Sequence, residues 1–277
     1  MDDLLEILRK FKLSEKPLFI NAFSHEDGEG EYAVWLITYP DDRYVLKRAS
    51  QPERDCYEKY LQNVSFAPKL IAQSGDYLLL SYVEGENLMK CDRTALLRAV
   101  DCLIAMQSAY WDSEKIQNAL QSRINRRNYL NDPLLERAYD AYLQDCMRVP
   151  WTLCHDDLLP FNVIAAEGRA VLIDWEHAGI LPYPASFARL IAHTSDEPDA
   201  LFYMSKEDIA AATDAYYEGL SQHRVIDREG FRRSLNLHLF YEYCEWIYVG
   251  NKYGDTNGDL LKKYSILATN MAKKLGY

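Results

Sequence analysis

Cys154-His155-Asp156-Asp157-Leu158-Leu159-Pro160-Phe161-Asn162-Val163-Ile164, followed after the apolar run Ala170-Val171-Leu172-Ile173 by Asp174-Trp175-Glu176, is the stretch that decides the fold. It carries the pattern H-x-D-x-x-x-x-N directly behind a β-type segment, Trp151 to Cys154, and Asp174 stands twelve residues past Asn162. Side chains at the ends of short strands lie on loops, where segments distant in sequence converge on one point. Asp157, Asn162 and Asp174 offer a proton-accepting carboxylate, an amide oxygen and a second carboxylate. Phosphoryl transfer asks for those three groups: one takes the hydroxyl proton, and two hold Mg2+ against a triphosphate.

Outward from this stretch the pattern divides in two. Asp2 to Phe11 has helical apolar spacing through Leu4, Leu5, Leu8 and Phe11. Pro17 to Phe23, Tyr32 to Tyr39 and Arg43 to Arg48 read as strands, joined by turns at Asp27-Gly28-Glu29-Gly30 and Pro40-Asp41-Asp42. Gln51 to Gln62 reads as a helix capped by Ser50, with Pro52 in its first turn. Lys69 to Gln73 and Tyr77 to Val83 complete a β-rich region. Beyond Glu84-Gly85-Glu86-Asn87, helical patterns take over at Arg93 to Tyr110, Ser113 to Tyr129 and Pro133 to Met147, and again from Tyr183 onward. The short strands Trp151 to Cys154, Val163 to Ala165 and Ala170 to Ile173 interrupt them. No internal repeat or low-complexity tract is present. The layout is α+β, with a groove between two lobes as the natural small-molecule site.

The motif pair resembles the aminoglycoside phosphotransferase and choline kinase superfamily, whose members read H-G-D-x-x-x-x-N, a strand, then I-D-[FW]-E. The chain departs at Asp156, where glycine is usual. The resemblance covers nearly the whole chain in layout, but it is specific only at residues 154–176. It implies a bilobal protein-kinase-like fold: a small antiparallel-sheet N-terminal lobe over residues 1–84 and a larger, mainly helical C-terminal lobe over residues 85–277. It implies Asp157 as the base, Asn162 and Asp174 as Mg2+ ligands, His155 as a structural pin, and ATP or GTP as donor. Lys47, at the end of the apolar strand Tyr44-Val45-Leu46, is then expected to anchor phosphate and to pair with Glu53 or Glu58, with Glu53 preferred. Gly28 and Gly30 form a flap over the phosphates, or simply a hairpin turn. Leu78 to Gly85 is similar to the family's hinge, where Ser81 and Val83 offer backbone groups to the purine.

The bulk numbers agree with a soluble enzyme. Among 277 residues, 48% are hydrophobic, enough for one large core or two moderate ones. No apolar run is long enough to span a membrane, and the acidic start Met1-Asp2-Asp3 is unlike a signal peptide. The six cysteines are scattered, with no Cys-x-x-Cys pair, as expected of reduced thiols in the cytoplasm. A net charge of −11 disfavours nucleic acid and anionic membranes, and favours a cationic acceptor.

For the acceptor, the run Tyr241-Glu242-Tyr243-Cys244-Glu245-Trp246-Ile247-Tyr248 places Tyr241, Glu245 and Tyr248 on one helix face and Glu242 and Trp246 on another. Carboxylates beside aromatic rings suit an ammonium group, although the same stripe also packs a core. Asp156, Trp175, Glu176, Glu242, Glu245 and Trp246 are the candidate acceptor residues, with Tyr183 near them. The expected function is a small-molecule kinase acting on an amino alcohol, amino sugar or aminoglycoside. The alternative is a nucleotide-binding regulatory or scaffold protein without turnover. A protein kinase is disfavoured, because Trp-Glu follows Asp174 and no Ala-Pro-Glu segment is present.

Overall fold

The computed structural model describes residues 2–11, 17–24, 31–116, 118–222, 224–255 and 258–277. Helix α1 (Asp2–Lys10) lies on a five-stranded antiparallel sheet built from β1 (Phe19–Ser24), β2 (Glu31–Thr38), β3 (Arg43–Arg48), β4 (Leu70–Ser74) and β5 (Tyr77–Ser81), in the order β1-β2-β3-β5-β4. Strand alternation decides what each face does. The register Leu46↔Leu79 and Lys47↔Leu78 sends Leu46 and Leu79 to the α1 side, where they bury with Leu8, Ile37 and Tyr39. The intervening Val45, Leu78 and Leu80 pack into the main core on the opposite face, and Lys47 points the same way.

Helix α2 (Gln51–Lys59) starts where the sequence predicts, with the Ser50 hydroxyl accepting from the Glu53 amide and Pro52 in the first turn. Its buried face is Glu53, Cys56 and Tyr57. After β5 the chain crosses at Gly85, where a Cβ would lie 2.4 Å from the Ala165 carbonyl oxygen, so only glycine fits this approach. The short strand β6 (Glu86–Asn87) then joins β8 (Val163–Ala166) and β9 (Arg169–Leu172), while β7 (Trp151–Cys154) pairs with β10 (Gly179–Pro182). Around these strands pack α3 (Arg93–Ala109), α4 (Gln121–Arg126), α5 (Pro133–Arg148), α6 (Pro184–Ala192), α7 (Lys206–Ser221), α8 (Arg228–Tyr253) and α9 (Asp259–Lys274). Asp92 and Asp132 cap α3 and α5 through their carboxylates. The result is an antiparallel-sheet N-terminal region and a helical C-terminal region, joined by an apolar core that runs from Ala49 to Ala272.

One predicted helix is corrected. In place of a helix over 113–129, the described residues hold only α4 and a single 3-10 turn, Arg127–Tyr129. Asp112 and Asn118 take left-handed backbone conformations (φ +58° and +69°), and the Ser113 amide donates to the Trp151 carbonyl at 2.9 Å instead of to a helical partner. Among the described residues no helix is long and apolar enough to cross a membrane. All six cysteines are free and buried.

His238 is a pH-sensitive group of the core. His238 of α8 is buried beside Tyr142, at a ring distance of 5.0 Å, and donates from Nδ1 to the Ser234 carbonyl at 2.9 Å. Burial pushes it down to about 3 from an ordinary 6.5. Between those values the unfolded chain takes up a proton that the folded chain refuses, so stability falls as pH drops. The melting temperature of the wild type is expected to fall from about pH 6.5 to about pH 4 more steeply than that of His238→Gln. Parallel curves would assign the loss elsewhere.

Candidate active site

The fully buried strand β7 delivers His155, which has no exposed surface. The His155 amide donates to the Ser186 hydroxyl at 2.8 Å, and its Nε2–H donates to the Ile173 carbonyl at 2.8 Å. Burial lowers its pKa, so the ring stays neutral and holds that tautomer. The Ile173 amide in turn donates to the Asn162 carbonyl at 2.9 Å. One residue, Ile173, thus ties the His155 loop and Asn162 to the chain just before Asp174.

Asn162 closes a 3-10 turn, Pro160–Asn162, and spends its amide Nδ2–H on the Asp157 carbonyl at 2.8 Å. That bond turns Oδ1 into the group left to accept or to ligate. Asp174 sits in the left-handed region (φ +64°) and keeps its side chain 44% exposed. Its Oδ1 meets Lys47 Nζ at 2.6 Å. Lys47 also bridges both Glu53 oxygens, at 2.9 and 2.8 Å, and Glu53 Oε1 accepts from the Trp175 amide at 3.2 Å. Burial works against the Lys47 charge, yet Glu53 and Asp174 outweigh it and hold the ammonium above its ordinary pKa. Of the two glutamates left open by the sequence, Glu53 takes the lysine, while Glu58 is exposed one turn further along α2.

These residues suit a magnesium ion bound with a nucleotide. Among the described residues no three His, Cys, Asp or Glu side chains are grouped so as to hold a metal ion by themselves. A magnesium ion here would be held by the Asp174 carboxylate and the free Asn162 oxygen, with the nucleotide and water completing its shell, which is how Mg2+ is ordinarily held.

The other nucleotide-side residues divide. Gly28 and Gly30 lie outside the described residues. The Ser81 amide is spent on the Lys69 carbonyl at 2.9 Å, and its hydroxyl accepts from the Lys69 amide. Of the backbone groups expected of Ser81, the amide is therefore already used. Val83 is half-buried beside it, and Arg43 braces the same segment by stacking on Tyr82 (4.4 Å) and pairing with Glu84 (2.9 Å).

On the far side of Asp157 lies a cavity of about 190 Å³, lined by Arg126, Asp156, Asp157, His177, Arg189, Tyr241, Glu242 and Glu245. Three of the expected acceptor residues, Asp156, Glu242 and Glu245, do line it. Trp175, Glu176 and Trp246 do not line it, and the expectations for Trp175 and Trp246 are corrected. Trp175 is fully buried, donating to the Leu172 carbonyl at 2.8 Å and packing on Phe66 and His155. Glu176 is exposed to solvent outside the cavity. Trp246 stacks on Tyr264 of α9 at 5.6 Å, so its part of the aromatic stripe is packing between helices. Tyr183 is buried too, against Trp111 and Phe231.

Every carboxylate of the cavity faces an arginine. Asp156 pairs with Arg123, Glu245 with Arg126 at 2.6 Å, and Asp157 and Glu242 share Arg189 at 2.7 and 2.9 Å. Burial alone would raise Glu242, but Arg189 and His193 outweigh it and hold the carboxyl down at about 2. Sequence reasoning missed all three arginines. The signal for Arg189 was present: it is the lone charge in the apolar segment Pro184–Ala192, and a cation there needs buried acids.

The sequence model of the phosphotransferase enzyme family matches residues 25–222. Protein LicA of Haemophilus influenzae is 23% identical over 122 residues, a match that takes in 44% of this chain and only 42% of that protein's length. Among solved structures, choline kinase LicA from Streptococcus pneumoniae is similar with a TM-score of 0.63 at 16% identity, over 98% of this chain and 99% of that one. The amicoumacin kinase hAmiN, in complex with AMP-PNP, Ca2+ and Ami, is similar with a TM-score of 0.64 at 14% identity, over 99% and 93%. At these identities the likeness establishes a shared fold.

Proposed function

Because this chain belongs to the phosphotransferase enzyme family and is therefore an enzyme of phosphoryl transfer to a hydroxyl, we propose that it moves the γ-phosphoryl of ATP or GTP onto a small cationic acceptor, with Asp157 as the base. The observation that carries this reading is the junction of Lys47 with Asp174 and Glu53, next to an Asn162 whose amide oxygen is left free. In it Lys47, steadied by Glu53, holds the donor phosphates, and the Ser81 carbonyl and the Val83 backbone hold the purine. Asn162 and Asp174 hold Mg2+, which when bound neutralises charge on the phosphates. Asp157 lies on the acceptor side, oriented to receive the hydroxyl proton. Residues 1–84 act as the nucleotide lobe and 85–277 as the catalytic and acceptor lobe, with the cleft between them.

A cationic acceptor is favoured by the cavity lining, where Asp156, Asp157, Glu242 and Glu245 outnumber Arg126 and Arg189 beside the Tyr241 ring. Choline kinase among the similar structures points the same way. Six buried thiols fit a reducing cytoplasm. The test is nucleoside diphosphate release with Mg-ATP or Mg-GTP across a panel of amino alcohols, amino sugars and aminoglycosides. Turnover above the acceptor-free rate is expected for one of these cationic classes. Silence across all of them, or turnover only with uncharged alcohols, contradicts the acceptor assignment.

A further inference from the structure

We propose that Arg189 is a positioning residue for Asp157, and that Glu242 is the buried counter-ion that holds Arg189 in place. This rests on the reading of Asp157 as the base. Arg189 Nε and Nη2 both reach the same oxygen of Asp157, Oδ1, at 3.2 and 2.7 Å. Two donors on one oxygen restrict the rotation of the carboxylate and leave Oδ2 out of the arginine contact, beside the cavity that both residues line. In the transfer, the acceptor oxygen bonds to phosphorus as the bond from phosphorus to the diphosphate oxygen breaks, and the hydroxyl proton passes to Oδ2.

The Arg189 guanidinium is not given wholly to Asp157. Here its charge is divided. Arg189 Nη1 donates to Glu242 Oε2 at 2.9 Å, and Glu242 is 3% exposed, so it has no water to exchange for the arginine. His193, the residue that follows the end of α6, stands 3.4 Å from the same Glu242 oxygen and 3.3 Å from Arg189 Nη1, and its Nδ1 meets the Tyr264 hydroxyl of α9 at 3.0 Å. The charged and titratable groups on Arg189 are therefore Asp157, Glu242 and His193, drawn from the motif loop, α8 and the end of α6. Glu242 lines the cavity but serves the arginine before it serves any acceptor.

Removing Arg189 alone strands Glu242 as a buried charge and endangers folding. The test is therefore the paired variant Arg189→Ala with Glu242→Gln. Its kcat is expected to fall about 10²-fold, the scale of an ångström-sized misplacement, with KM for Mg-ATP little changed. Guanidinium chloride, well below denaturing concentrations, is expected to recover part of the rate, and Arg189→Lys to lie between, since an ammonium cannot supply the forked donor. A crystal structure of the paired variant is expected to show the Asp157 carboxylate rotated from its wild-type position. An unchanged kcat, or a lost rate that guanidinium does not restore with Asp157 unmoved, overturns the proposal. If the wild type transfers to no acceptor at all, the reading beneath it fails instead, and the position of Asp157 in the paired variant still decides whether Arg189 positions it.

Discussion

Asp157→Asn is expected to lower kcat by about 10³-fold while leaving Mg-ATP binding intact, within the range that loss of a general base covers. The substitution is close to isosteric, and the contacts that organise the loop survive it. Asn162 donates to the backbone carbonyl of residue 157, not to its side chain, so the free Asn162 oxygen stays in place. An asparagine oxygen still accepts from Arg189, so the guanidinium keeps a partner beside Glu242. What disappears is the carboxylate oxygen proposed to take the proton from the acceptor. Alanine would be a poorer probe, because it strands Arg189. Single-turnover transfer measured beside nucleotide titration separates the two effects, and a variant of near-normal rate removes Asp157 as the base.

Asp174→Asn is expected to cost about as much in turnover, 10³-fold or more on the scale of lost electrostatic stabilisation, and in addition to abolish the effect of Mg2+ on nucleotide binding. Asparagine tolerates the left-handed backbone at this position, so the turn into Trp175 is kept. Lys47 loses one of its two acids but retains Glu53, so no buried charge is stranded. The same cannot be said of Lys47→Ala. That change leaves Glu53, 1% exposed, without its cation and costs about 3–5 kcal/mol of stability before any chemistry is measured. Asp174→Asn therefore isolates the metal-holding role. In thermal melts, ATP with Mg2+ is expected to stabilise the wild type more than ATP alone, and the two ligands to act equally on the variant. A magnesium-dependent shift that survives the substitution would remove Asp174 from the metal site.

What was legible in the sequence was local. The residues from 154 to 176 declare themselves because strand, polar loop and strand follow one another within a short span. Lys47 stood out at the end of an apolar strand once the motif pair implied a phosphate-anchoring lysine there. The cap at Ser50 announces its helix through one side chain and the amides that follow it. The arginines of the acceptor cavity were not legible, because each answers to an acid brought near only by the fold: Arg123 to Asp156, Arg189 to Glu242, Arg126 to Glu245. The stripe from Tyr241 to Tyr248 was readable as a helix face but not as to what it faces. Glu242 and Glu245 turn to the cavity, while Trp246 packs on α9 and Tyr241 stacks on Tyr142 at 4.7 Å. Asp112 and Asn118 broke the predicted helix over 113–129 through backbone conformations that apolar spacing does not encode.

The claim that Asn162 and Asp174 share a divalent ion over the donor phosphates is met most directly by a crystal structure with Mg2+ and a non-hydrolysable ATP analogue. The account predicts one ion about 2.0–2.1 Å from Asn162 Oδ1 and from an Asp174 oxygen, with Lys47 moved onto the phosphates and Asp157 free of the metal. Nucleotide bound without an ion at those two residues, or an ion held elsewhere, would contradict it.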